Sequence, residues 1–169
     1  MFKKLFGKLK GEDESSTQNE GKIFATQTGR AVDLSEVPDE VFASKVLGQG
    51  FAIIPAEGKV YSPVEGEVVS VAPSLQAYGL RTKSGLEVLV HVGLETVKLN
   101  GEGFKAAVKQ GDKVRAGDLL AEVDLAFIES KGCKTHTPVI LTTLEEDKNV
   151  RFKLGTVVAK ESVVMEYNN

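Results

Sequence analysis

Leu86-Glu87-Val88-Leu89-Val90-His91-Val92-Gly93 places a Leu or Val at every second position, the period of a strand with one apolar face. Successive side chains of a strand point to opposite faces. Leu86, Val88, Val90 and Val92 therefore make one apolar face suited to a core, while Glu87, Leu89, His91 and Gly93 share the other. Just upstream, Tyr78-Gly79-Leu80-Arg81-Thr82-Lys83 reads as a partner strand, with Ser84-Gly85 as a two-residue hairpin loop. That loop predicts Lys83 opposite Leu86, Thr82 opposite Glu87, Leu80 opposite Leu89 and Tyr78 opposite His91. Gln76 then falls opposite Gly93, on the face of His91 as its diagonal neighbour. Diagonal positions lie roughly 7–8 Å apart at the backbone, within reach of long side chains.

Outward from the hairpin, the chain repeats the same grammar. Short β-rich runs are expected at 51–54, 58–62, 66–71, 78–82, 86–93, 119–123, 139–141 and 157–159, most of them separated by Gly and Asp. This spacing predicts an all-β fold, an antiparallel β-sandwich or barrel with short helical turns. The helical candidates are a single turn within 37–43, a segment at 104–110 and a turn at 126–131. Lys109-Gln110-Gly111-Asp112-Lys113-Val114-Arg115-Ala116-Gly117-Asp118 holds two Gly-Asp pairs suited to tight turns flanking a short strand.

Two zones precede the folded part. Residues 1–10 are basic and amphipathic, with Phe2, Leu5, Phe6 and Leu9 at helical spacing and Lys3, Lys4, Lys8 and Lys10 supplying charge. Such a segment suits weak association with an anionic membrane surface. Residues 11–21 are polar and acidic and read as a flexible linker, so residues 1–21 form a tail and 22–169 the domain. The tail lacks the apolar stretch and cleavage site of a signal peptide, and no apolar run approaches a spanning helix. With one cysteine, Cys133, no internal disulfide forms, and the thiol reads as buried and inert in a reducing compartment. The expected location is the cytoplasm, with the tail at the inner face of the membrane. A net charge of −3 offers no electrostatic case for nucleic acid.

Chemistry centres on His91. A neutral imidazole is a nucleophile near neutral pH, because its ordinary pKa is about 6.5. A neighbouring hydrogen-bond donor such as Gln76 can steady phosphoryl oxygens, and apolar neighbours exclude water. A lone strand histidine is more often structural. The rest of the chain carries the discrimination. Val37-Pro38-Asp39-Glu40-Val41-Phe42-Ala43 followed by Gly48-Gln49-Gly50, Ser62-Pro63-Val64-Glu65-Gly66, the stretch from Gly85 to Val97, Leu99-Asn100-Gly101-Glu102-Gly103-Phe104, and Thr137-Pro138-Val139 occur in one order along one chain. Together they resemble the glucose-type enzyme IIA domains of the bacterial phosphoenolpyruvate-dependent sugar phosphotransferase system.

The resemblance implies an antiparallel β-sandwich with a shallow apolar depression and His91 as phosphoacceptor. It implies phospho-HPr as donor and a cysteine on a IIB domain of a sugar permease as acceptor, with no cofactor and no resident metal. Val41, Phe42, Val46 and Leu89 match apolar docking positions, Tyr78 joins them through the expected hairpin register, and Asp39 and Glu95 match acidic positions around the depression. One departure stands out. Gln76 occupies the place of the family's usual second histidine, which is linked to onward transfer. Gln donates a hydrogen bond but carries no titrating proton. Phosphate acceptance with poor onward transfer, suited to a regulatory role, is the alternative reading. Ser74 stands where a Thr is common, and His136 stands where an apolar residue is usual, reading as a surface or packing residue.

Two rivals from other classes fare worse. Lys109–Asp118 and Ser62–Val69 look like parts of a biotinyl or lipoyl carrier, yet neither Met-Lys-Met nor Asp-Lys-Ala is present. A zinc peptidase of LytM-like architecture needs a His-x-His pair, and His91 and His136 are the two histidines of the chain.

Overall fold

The computed structural model describes residues 19–168. The amphipathic segment 1–10 and most of the linker lie outside the described residues. The chain runs through β1 (Lys22–Phe24) and β2 (Gly29–Asp33), a 3-10 turn at Leu34–Glu36, the one-turn helix α1 (Glu40–Ala43), and then β3 (Gln49–Pro55). It continues with β4 (Lys59–Tyr61), β5 (Gly66–Val71), β6 (Ala77–Arg81) and β7 (Glu87–His91). A 3-10 turn at Thr96–Leu99 leads to β8 (Phe104–Ala106), β9 (Lys113–Val114) and β10 (Leu119–Val123). The helix α2 (Leu125–Ser130), β11 (Thr137–Leu141), β12 (Asn149–Phe152), β13 (Gly155–Val157) and β14 (Val163–Asn168) complete it.

An eight-stranded sheet in the order β13-β2-β3-β11-β7-β6-β5-β9 forms the body. Two three-stranded sheets, β1-β14-β12 and β4-β10-β8, pack against it. Its strand pairs are antiparallel. The sandwich expected from the alternation is therefore present.

The large sheet has two apolar faces of unequal size. The inner face sends Phe51, Ile53, Tyr78, Leu80, Val88, Val90, Val139 and Leu141 into one core with Ile23, Val164 and Met165 from one small sheet and Val60, Leu120 and Val123 from the other. Each fully buried side chain of this size contributes about 1.5–3 kcal/mol relative to exposure, so this core dominates stability. The outer face carries a smaller cluster of Val32, Leu34, Val37, Phe42, Ala52, Leu94 and Ile140, with Leu89 packed against it. That cluster is roofed by α1. The helix starts because the Asp39 carboxylate accepts from the Val41 N–H at 3.0 Å, and it ends where Lys45 turns to a φ of 62°.

The hairpin register differs from expectation by one residue. Tyr78 pairs with Val90, Leu80 with Val88 and Arg81 with Glu87, so Ala77 stands opposite His91. The loop holds three residues, Lys83, Ser84 and Gly85, because Thr82 closes it: the Thr82 N–H donates to the Leu86 carbonyl at 2.9 Å and the Gly85 N–H to the Thr82 carbonyl at 2.9 Å. Gly85 takes a φ of 93°, the left-handed position that such a three-residue turn requires. A slip of one residue flips a strand's side chains to the other face. Tyr78 is accordingly 0% exposed in the inner core rather than beside His91 on the outer face. Burial pushes its phenol up to about 12.

The segment 104–110 also departs from expectation. Phe104–Ala106 is a strand paired with β10, Phe104 opposite Val123 and Ala106 opposite Ala121, so non-local pairing overrides the weak helical pattern. The turn expected at 126–131 is the helix α2, which ends at Ser130 with Lys131 as its C-cap and whose first turn Asp124 caps through the Phe127 N–H at 3.0 Å. The two Gly-Asp turns take matching forms: Asp112 accepts from the Lys109 N–H at 3.0 Å and Asp118 from the Arg115 N–H at 2.8 Å, with β9 between them. Cys133 is buried and free. No helix among the described residues is long and apolar enough to cross a membrane.

Candidate functional site

His91 ends β7 on the outer face, partly buried, with its ring 5.1 Å from that of Phe42 in a tilted contact. Leu89 precedes it on the same face and packs on the Phe42 cluster. The inner valines Val88 and Val90 hold the strand between β6 and β11, which fixes where the imidazole emerges.

The turn after the strand fixes the imidazole's orientation. His91 Nδ1 lies 2.8 Å from the Gly93 carbonyl oxygen. A carbonyl only accepts, so Nδ1 carries the proton and donates, and Nε2 keeps its lone pair. The Gly93 backbone has a φ of 79°, and a Cβ there would stand 2.5 Å from Thr96 Cγ2. Thr96 closes the turn by donating from Oγ1 to the Val92 carbonyl at 2.7 Å. A side chain at residue 93 would thus break the turn that aims His91.

Electrostatics keep the ring neutral. Burial lowers the His91 pKa; the hydrogen bond to Gly93 and the charge of Asp39 oppose it, and burial wins. At neutral pH the site therefore presents an uncharged imidazole with a free Nε2, the form a nucleophile needs.

The other expected residues fall into three groups. Asp39, Phe42 and Leu89 gather with His91 at the α1 end of the outer face. Val41 and Val46 are exposed at 52% and 74%, and Glu95 is exposed in the turn after β7 with a φ of 60°. Tyr78 is absent from this face, as described above. Gln76 lies just ahead of β6, and its carbonyl accepts from the Val92 N–H at 2.6 Å, so it stands opposite Val92 rather than Gly93. Its side chain is 7% exposed, its Oε1 is buried without a hydrogen bond, and Leu75 before it takes a φ of 64°. No hydrogen bond joins the side chains of Gln76 and His91 among the described residues.

Two apolar residues escaped the sequence reading, Leu47 and Val97, 39% and 56% exposed. The signal for both is an apolar residue inside a turn, where burial is not available. Val41, Val46 and Leu47 in and after α1, and Val97 in the turn after β7, are thus exposed apolar side chains, with acidic Asp39, Glu40 and Glu95 nearby in sequence. No cluster of three or more His, Cys, Asp or Glu able to hold a metal occurs among the described residues. This arrangement can take an electrophilic group onto Nε2.

Comparisons with known proteins show one family along most of the chain. The profile of the phosphoenolpyruvate-dependent sugar phosphotransferase system, EIIA 1, matches residues 21–147. The chain is 48% identical over 147 residues to the glucose-specific EIIA component of the phosphotransferase system of Halalkalibacterium halodurans, covering 86% of this chain and 85% of that one. It is 42% identical over 167 residues to the protein of the same description from Staphylococcus epidermidis, covering 98% of each. Among solved structures, the glucose permease IIA from Mycoplasma capricolum superposes with a TM-score of 0.81 at 40% identity, over 85% of this chain and 94% of that one. A β-sandwich that holds a neutral, aimed imidazole and carries this similarity along most of its length belongs to the EIIA 1 family of the phosphoenolpyruvate-dependent sugar phosphotransferase system.

Proposed function

We propose that this chain is the phosphoryl carrier between phospho-HPr and the IIB domain of a sugar permease, with His91 Nε2 as the carrying atom. The observation that supports it best is the hydrogen bond from Nδ1 to the Gly93 carbonyl, which leaves the Nε2 lone pair free. In the accepting step that lone pair forms the new P–N bond while the donor's P–N bond breaks, its electron pair returning to the donor imidazole. The Nδ1 proton stays in place. The phosphorylated ring becomes cationic and is stabilised by the Gly93 carbonyl and the nearby Asp39 carboxylate. In the donating step a IIB thiolate attacks the same phosphorus, and the bond pair returns to Nε2.

Val41, Val46, Leu47 and Val97 suit the apolar part of a partner's surface, and Asp39 and Glu95 suit a basic rim. The relatives are described as glucose-specific, which makes a glucose permease the first partner to try. The division into a tail, 1–21, and a carrier domain, 22–169, fits a protein working in the cytoplasm with its basic segment at the membrane face. Gln76 supports a second reading, a regulator that is phosphorylated but donates poorly, because a side chain without a titrating proton stands at the position of the usual second histidine.

The test follows the phosphoryl group. The chain is charged with phosphoenolpyruvate, enzyme I and HPr, and a glucose IIB domain is then added. Label should arrive on His91 and leave to IIB. Label that never arrives overturns the carrier reading. Label that arrives but leaves at least tenfold slower than from Gln76→His selects the regulator.

A further inference from the structure

His136 is unused by the chemistry above, and the sheet brings it beside His91. In the β7–β11 ladder Val139 stands opposite Val90 and Ile140 opposite Leu89. The same register puts Pro138 opposite His91 and His136 opposite Gly93, and the Gly93 N–H indeed donates to the His136 carbonyl at 2.9 Å. Faces follow from β3. Pro138 pairs with Ala52, a member of the outer cluster, while Thr137 pairs with the inner Ile53. By alternation His136 rises on the outer face, as the diagonal neighbour of His91 on the flank away from β6. Diagonal positions lie roughly 7–8 Å apart at the backbone, within reach of aromatic side chains. Gly93, directly opposite His136, places no side chain between the two rings. It ties the histidines together, taking the Nδ1–H of one on its carbonyl and giving its N–H to the backbone of the other.

The two nitrogens of His136 have different surroundings. Nδ1 is buried and has no hydrogen-bond partner. Nε2 is not sealed in this way and makes no hydrogen bond among the described residues. A buried unpaired N–H is rarer than an under-satisfied acceptor, so the proton belongs on the open Nε2. Burial and the charge of Lys134 both lower the pKa of His136, so the ring is a neutral donor at neutral pH.

We propose that His136 is a phosphoryl-contacting residue of this site, its Nε2–H donating to an oxygen of the group carried on His91. It supplies an imidazole donor in a chain whose Gln76 cannot titrate. The inference rests on His91 being the carrier.

The experiment uses the full chain, phospho-HPr as donor, and the variants His136→Leu and His136→Gln. Leu keeps apolar packing and removes the donor; Gln keeps an N–H. His136→Leu should lower the kcat of transfer to His91 on the order of tenfold, the worth of one hydrogen bond to a charged group, with KM for phospho-HPr unchanged. His136→Gln should stay within about threefold of the native chain, which a packing role would not produce. In the native chain the NMR resonance of the His136 Nε2–H should shift when His91 is phosphorylated. Native rates in His136→Leu, or equal losses in both variants with an unmoved resonance, overturn the proposal while leaving the carrier reading intact. A native chain that takes no phosphoryl group overturns the carrier reading, and this one with it.

Discussion

The two faces of the eight-stranded sheet are built from the same strands and do different work. On β7 the inner side chains Val88 and Val90 are 1% and 0% exposed and join the main core. The outer ones, Leu89 and His91, lie against the smaller cluster under α1. The inner face sets register and stability, and the outer face inherits its geometry from that register. A one-residue slip would exchange the two sets. The inner valines, which His91 does not touch, fix where its strand lies, while direct contacts with the Gly93 carbonyl and the Phe42 ring fix how the imidazole is turned.

The sharpest way to separate the faces is to cut each in turn. Phe51→Ala, deep in the inner core, should cost about 3–5 kcal/mol in urea unfolding yet leave the phosphorylation rate per folded molecule unchanged. Phe42→Ala, on the outer face, should cost about 3 kcal/mol or less, because its cluster is smaller and more open to relaxation. It should also slow phosphorylation and raise the His91 pKa toward its ordinary value, because burial is the larger cause of the depression. NMR titration of the His91 ring measures this. The sign carries over to stability. Folded His91 and His136 bind protons less readily than in the unfolded chain, so their contribution is full above about pH 6.5 and is lost as pH falls through the folded values. Phe42→Ala should shrink that acid loss.

Much of this contrast was legible in residues 86–93. The alternation placed His91 opposite the valines, and the strands at 66–71 and 119–123 stand where the sequence put them. The hairpin register was not legible, because Ser84-Gly85 suits a two-residue loop as well as the last part of a three-residue one. Thr82 decides between them through its bonds to Leu86 and Gly85. That single residue of loop moved Tyr78 from the outer face to the core. At 104–110 the spacing alone hid a strand, since Phe104 and Ala106 become strand residues only when β10 lies beside them. The place of His136 was hidden for the same reason. Its face depends on β3 and β7, both distant in sequence.

Smaller perturbations sharpen the outer face itself. Asp39→Asn keeps the helix cap and removes the charge. It should lower the His91 pKa further, since Asp39 is one of the influences raising it, and slow association with a basic partner by about threefold at low salt. Val46→Ser, at a position 74% exposed, should change stability by no more than about 0.5 kcal/mol. Its effect should fall on the KM for the donor protein, measured in the same transfer assay. A stability loss as large as that of Phe42→Ala would blur the distinction between rim and floor.

The central claim is that the outer face carries one phosphoryl group on His91. Intact mass of the chain after incubation with phosphoenolpyruvate, enzyme I and HPr tests it most directly. The native chain should gain one phosphoryl group, and His91→Ala none. A native chain that gains nothing, or a His91→Ala chain that still gains one, would contradict it.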